Sequence, residues 1–222
     1  MSTAGAIGRM RRAMGLGRLV ALGGPTDGTW LAESAARSVL VKAAATAVRG
    51  VAVTRLDVTL ADPETAGEPA VPPPPSALPP GPHRLAAEVA VWSGEPLPAV
   101  TAALRSALSR AAEDRLGLVV TEVDLRVVSL PDHPLRPGPV SVPTPAPPSD
   151  AAGEAAASTA GVVCLTAELG GSAVQAAGDH VRVEVATADG FRALDVARAV
   201  RASVSAALAD GRPVTVLVSS AA

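Results

Sequence analysis

Arg84-Leu85-Ala86-Ala87-Glu88-Val89-Ala90-Val91-Trp92-Ser93, with the run Leu97–Leu116 behind it, is the stretch on which the fold turns. Leu85, Ala87, Val89 and Val91 alternate against Glu88 and Trp92, the period of a strand with one buried face. Val100, Leu104, Leu108 and Ala111 then recur every three to four residues, the stripe of an amphipathic helix, with Pro98 suited to its first turn. Ninety-six positions on, the pattern returns without a gap. Leu85, Glu88, Val89, Ala90 and Gly94 fall on Val181, Glu184, Val185, Ala186 and Gly190, and Val100, Leu104, Arg105, Leu108 and Ser109 fall on Val196, Val200, Arg201, Val204 and Ser205. An offset that keeps both periods together marks a duplicated supersecondary unit. The expectation is an α+β protein of two tandem two-layer modules, each a small β-sheet covered by one or two helices.

Outward from the quoted stretch, Leu31–Val48 carries a helical stripe through Leu31, Val39 and Leu40, and Gly50 stands where a helix ends. The turn Gly23–Gly28 precedes it, with Asp27 or Thr29 as the expected N-cap. Val51–Leu60 alternates as a strand, as does Val119–Val128, with Thr121, Val123, Leu125 and Val127 inward and Glu122, Asp124 and Arg126 outward. Pro63–Pro82 holds four consecutive prolines, Pro72–Pro75, and reads as a stiff connection within the first module, or as a ligand for an aromatic groove on a partner. The second copy opens with Gly161-Val162 as the first does with Gly50-Val51, and continues through strands Val162–Glu168, Val181–Thr187 and Val214–Ser219 and helix Ala193–Ala209. Only a stub near Glu154–Thr159 replaces the long first helix, so the second copy is expected to need the first to cover part of its core. The predicted organisation is a basic N-terminal segment 1–28, a first module 29–130 with the Pro-rich loop 63–82, a Pro/Ala-rich linker 131–154 and a shorter second module 155–222.

Composition narrows the function classes. The chain has 222 residues and is 48% apolar, enough for a core, but holds one Phe, two Trp and no Tyr. That scarcity argues against a base-stacking platform, and no nucleic acid is expected. Residues 1–60 carry eight Lys and Arg against three Asp and Glu; the remainder carries eleven against eighteen. A basic arm on a weakly acidic body follows, with Arg9, Arg11, Arg12 and Arg18 interleaved with Met10, Met14, Leu16 and Leu19 as the candidate membrane or partner contact. One cysteine, Cys164, excludes an intrachain disulfide and any Cys-based zinc cluster. No apolar run approaches a membrane span, and the expectation is a cytoplasmic protein.

The residues able to carry chemistry point elsewhere. His83 and His180 both stand at the entry to a central strand, and a surface or structural role is expected for each, with no metal or cofactor. Glu88 and Glu184 occupy equivalent positions and read as solvated strand residues; Cys164 reads as a small buried side chain and Ser219-Ser220 as a C-terminal tail. No catalytic residue is nominated. A rival reading gives Gly23–Gly28 and the turn Asp189-Gly190 to an anion or small ligand held at helix starts.

The core pattern, with Gly50-Val51 after a helix, the strand through Val89 and Val91, the helix read as Val100, Leu104, Leu108, then Gly117 and Thr121-Glu122-Val123, resembles the alkaline-shock protein family of Gram-positive bacteria. The likeness spans about 31–128 and, more weakly, 161–219. It implies a non-enzymatic cytoplasmic protein held near the membrane by a partner and linked to envelope stress. The function expected is that of an interaction or scaffold protein, with protein partners, self-association and peripheral membrane contact.

Overall fold

The strand and helix periods fold into two sheets with unlike surroundings. The computed structural model describes residues 15–92, 94, 96–133 and 142–222. In chain order these form β1 (Leu19–Ala21), β2 (Thr29–Ala32), α1 (Glu33–Ala47), β3 (Val51–Leu60), β4 (His83–Val91), α2 (Leu97–Ala111) and β5 (Val120–Ser129). Then follow α3 (Ala151–Ala157), β6 (Val162–Leu165), β7 (Val174–Ala177), β8 (His180–Thr187), α4 (Ala193–Leu208) and β9 (Val214–Ala221). The class is α+β, as expected.

The smaller sheet has the order β3-β4-β5, with β4 antiparallel to β3 and, after the α2 crossover, parallel to β5. The larger sheet contains the same arrangement: β8 lies antiparallel to β6 and, after the α4 crossover, parallel to β9. Beyond that core the two diverge. Strand β2 pairs parallel with the far side of β9, β1 pairs antiparallel with β2, and β7 forms a hairpin onto β8, giving six strands.

Two segments expected to belong to the leader and the first module therefore complete the larger sheet. The helix also starts later than its stripe suggested. Thr29–Ala32 is a strand buried at every position, as suits an interior strand, and neither Asp27 nor Thr29 caps α1. The cap is backbone instead: Glu33 N–H donates to Arg18 C=O at 2.8 Å and Ser34 N–H to Leu16 C=O at 3.1 Å. Ser219 and Ser220, expected as a tail, lie inside β9.

Helix α1 packs on α2, β3 and β9, and so reaches both sheets. The buried apolar residues form one cluster running from Leu16 to Ala221 rather than two separate cores. Gly117 shows how close the halves come. It ends the α2 segment at φ 88°, and a Cβ added there would lie 2.5 Å from Leu194 Cβ on α4. The Pro-rich loop is also part of this packing. Leu78 N–H donates to Leu19 C=O at 2.8 Å, Thr215 Oγ1 to Pro72 C=O at 2.9 Å and Trp30 Nε1 to Leu78 C=O at 3.4 Å, while Val71 is buried. The loop is thus a cover for β1, β2 and β9.

Glu33 closes the seam between the sheets. Its carboxylate accepts from Arg18 N–H at 3.1 Å and from Val58 N–H, on the outer edge of β3, at 2.9 Å. The Arg18 guanidinium donates to Val58 C=O at 3.4 Å, so the pair satisfies both polar groups of one edge residue. Glu33→Ala is expected to cost about 1–3 kcal/mol in denaturant melts, because two part-buried N–H groups lose a charged acceptor. Glu33→Gln should recover part of that loss.

Candidate functional site

The inward residues of the smaller sheet are Leu56, Val58, Leu85, Ala87 and Val89 from β3 and β4, with Val123, Leu125 and Val127 beside them on β5. Every second position faces the other way, and that face carries charge. In register across the three strands lie Arg55, Glu88 and Arg126, then Asp57, Ala86 and Asp124, then Thr59, Arg84 and Glu122. Arg55 pairs with Asp57 at 2.7 Å, Arg84 with Asp124 at 2.5 Å and Glu122 at 3.3 Å, and Arg126 with Glu88 at 3.6 Å. The small side chain of Ala86 leaves a shallow cleft of about 210 Å³ between Arg55, Glu88, Asp124 and Arg126. Such exposed pairs contribute little to stability. Glu88 is half-buried and paired here, close to the solvated strand residue expected of it.

Glu184 departs from that expectation. It is fully buried, because β8 has both faces covered while β4 has one. Its Oε2 accepts from Leu169 N–H at 3.2 Å, and its Oε1 has no hydrogen-bond partner among the described residues. Burial pushes its carboxyl up to about 7, against the opposing pull of the Leu169 N–H. His83 is the second correction. It is 1% exposed, not solvent-accessible, since it shares the inward parity of Leu85 and Ala87. Both ring nitrogens lack partners among the described residues, and burial pulls the imidazole down to about 4. His180 is half-buried and meets Asp179 at 2.9 Å.

These groups do not converge. His83 and Glu184 sit on the central strands of separate sheets. Cys164 is half-buried rather than enclosed, and burial raises its thiol away from the reactive form. Ser219 Oγ shares a buried hydrogen bond of 2.6 Å with Thr166 Oγ1. Among the described residues no group of three or more His, Cys, Asp or Glu could hold a metal ion.

The two turns suggested for an anion already hold one of the protein's own. Asp27 takes both Arg198 Nε and Nη2, at 2.7 and 2.9 Å, and accepts from Gly24 N–H at 2.7 Å; the Arg198 bond holds its carboxyl below the usual range. Arg201 donates to the carbonyls of Thr26, Asp27 and Val214. The turn leads into β2 and not into a helix. At the other turn, Asp189 pairs with Lys42 at 2.7 Å and with Arg115. Of the basic leader, Arg9, Arg11 and Arg12 lie outside the described residues, while the Arg18 guanidinium donates to Val58 C=O and its backbone N–H to Glu33. Comparison of the chain with family models, curated proteins and solved structures finds no match.

The two buried titrations have opposite signs. Below its free value of 6.5, His83 binds fewer protons folded than unfolded, so its contribution is full above that pH and lost as pH falls toward about 4. Glu184, raised from 4.5, contributes fully below that value and loses its contribution as pH rises toward about 7. Glu184→Gln removes the second slope. Its stability relative to the unsubstituted protein is expected to rise by up to about 3 kcal/mol between about pH 4 and pH 8, read from denaturant melts. A difference that does not change with pH would refute the buried carboxylate.

Proposed function

We propose that this is a non-catalytic interaction or scaffold protein that receives protein partners on the charged outer face of its smaller sheet. The observation that carries the reading is the contrast between the sheets. Strands β8 and β9 are buried at nearly every position, whereas β3, β4 and β5 present outward rows of paired, largely exposed charged residues in register. A three-stranded sheet needs only one covered face to be stable, so the second face is left for recognition. The resemblance to alkaline-shock proteins adds the expectation of a cytoplasmic role in envelope stress, close to the membrane. No helix among the described residues is long and apolar enough to cross a membrane, so membrane contact in this reading is peripheral and rests on Arg9, Arg11 and Arg12.

The face is tested by Arg55→Asp combined with Asp57→Arg, which keeps net charge and the pair on β3 while inverting the pattern. Crosslinking in native cells is expected to recover partners with the unsubstituted protein and about fivefold less with the swapped one, at equal melting temperature. Equal recovery, or none with either, would overturn the docking face. For the leader, replacing Arg9, Arg11 and Arg12 by Glu should reduce co-sedimentation with anionic vesicles about tenfold or more. Vesicle binding that survives the substitution would remove the leader from the reading.

A further inference from the structure

Strand β5 is the edge of the smaller sheet, ten residues long, and among the described residues no strand lies on its outer side. Its counterpart by connectivity, β9, has that side taken by β2. The difference shows in burial. Val216 and Val218 of β9 are fully buried, whereas Val123, Leu125 and Val127 of β5 are only half-covered, and Val119, Val128 and Leu130 are exposed by 43% or more. Between register irregularities at Thr121 and Val128, the regular stretch Glu122–Val127 presents an edge with an apolar side, a template for another strand. Arg105 Nε reaches Val123 C=O at 3.4 Å, a weak contact.

We propose that the occupant of this edge is β5 of a second copy, paired across a two-fold axis centred on Leu125. Two identical strands related by such an axis run antiparallel. The alternation of faces requires the axis to pass through a residue, since a half-step would set inward residues against outward ones. Centred on Leu125, that residue meets itself, Val123 meets Val127 twice on the inward face, and Asp124 meets Arg126 twice on the outward face. The neighbouring centres are worse. Asp124 or Arg126 at the axis would face its own like charge, and Val123 at the axis would set Glu122 against Asp124. The favoured register also extends the existing ladder, from Glu88 through Arg126 to Asp124 and Arg84 of the second copy. The product is a continuous six-stranded sheet that carries two copies of the charged face. The pairing adds to the scaffold reading without depending on it: it is made by the β5 edge and read as oligomeric state, although Asp124 and Arg126 also belong to the charged face.

Sedimentation equilibrium on the full chain tests the proposal. The unsubstituted protein is expected to be a dimer. Asp124→Arg alone and Arg126→Asp alone each set like charges opposite one another, and each should raise the dissociation constant about tenfold or more. An equimolar mixture of the two single variants should recover the dimer, because each supplies the charge the other lacks; this rescue is specific to the Leu125 register. The double variant Asp124→Arg, Arg126→Asp should also dimerise. A monomeric unsubstituted protein overturns the proposal whatever the variants do, as does a dimer that both single variants leave intact. Retained circular dichroism in each single variant separates lost pairing from lost folding.

Discussion

The carboxylate of Glu33 bonds two backbone N–H groups from parts of the chain that pair with different sheets, Arg18 before β1 and Val58 on β3. An edge strand must hide its unpaired polar groups, and here a single acid at the start of a helix does so. The position has consequences for everything around it. Because Glu33 is the first residue of α1, fixing its side chain against β3 also fixes where that helix enters the core. Helix α1 then has apolar surface for β3 and α2 on one part and for β9 on another. The two sheets share one core because one helix serves both, and the orientation of that helix is set at its first turn.

The two halves use one connectivity for opposite ends. In the larger sheet, β2 extends β9, the Pro-rich loop lies over Thr215 and Trp30, and α4 covers the alternate face through Val196, Val200 and Val204. A strand covered on both faces loses its polar alternation, and β9 accordingly reads Val-Thr-Val-Leu-Val-Ser-Ser-Ala. Among the described residues nothing equivalent is laid over the outward side of β3, β4 or β5. Their outward positions keep Arg, Asp and Glu, and no described strand pairs with the outer side of β5. Stability is thus concentrated in the half with the short helix stub, and accessible surface in the half that owns the long helix.

How much of this was legible in the sequence depends on the range of the interaction. Strand alternation in β3, β4 and β5, the stripes of α2 and α4, and the turns at Gly50 and Gly117 are local, and they read correctly. The identity of Thr29–Ala32 did not, because an apolar run of four residues ahead of a helix stripe fits either element until its neighbour β9 is known. His83 could have been placed: counting back by two from Leu85 puts it inward, and the adjacent prolines obscured that parity. Glu184 could not have been. It matches Glu88 by position, and only the cover over β8 distinguishes a buried carboxylate from a paired surface one. The open face itself was present in the alternation of Glu122, Asp124 and Arg126, but its register with Arg55 and Glu88 depends on strand pairing.

Burial of ionisable groups in this protein therefore reports cover rather than a shared reaction centre. Glu184 sits where the segment carrying Leu169 closes on β8, His83 sits on the inward face of β4, and burial moves each from its ordinary range. Their effects on stability oppose one another over the pH interval where both titrate. Charges that remain accessible behave differently: they are paired within β3 and across β4 and β5, where the pairs add little to stability. A pattern that costs little to maintain and is displayed on a rigid sheet is suited to selecting partners, including another copy of itself, by matching charge. The distribution of charge between the sheets thus separates the enclosed part of the molecule from the part whose charged face stays accessible.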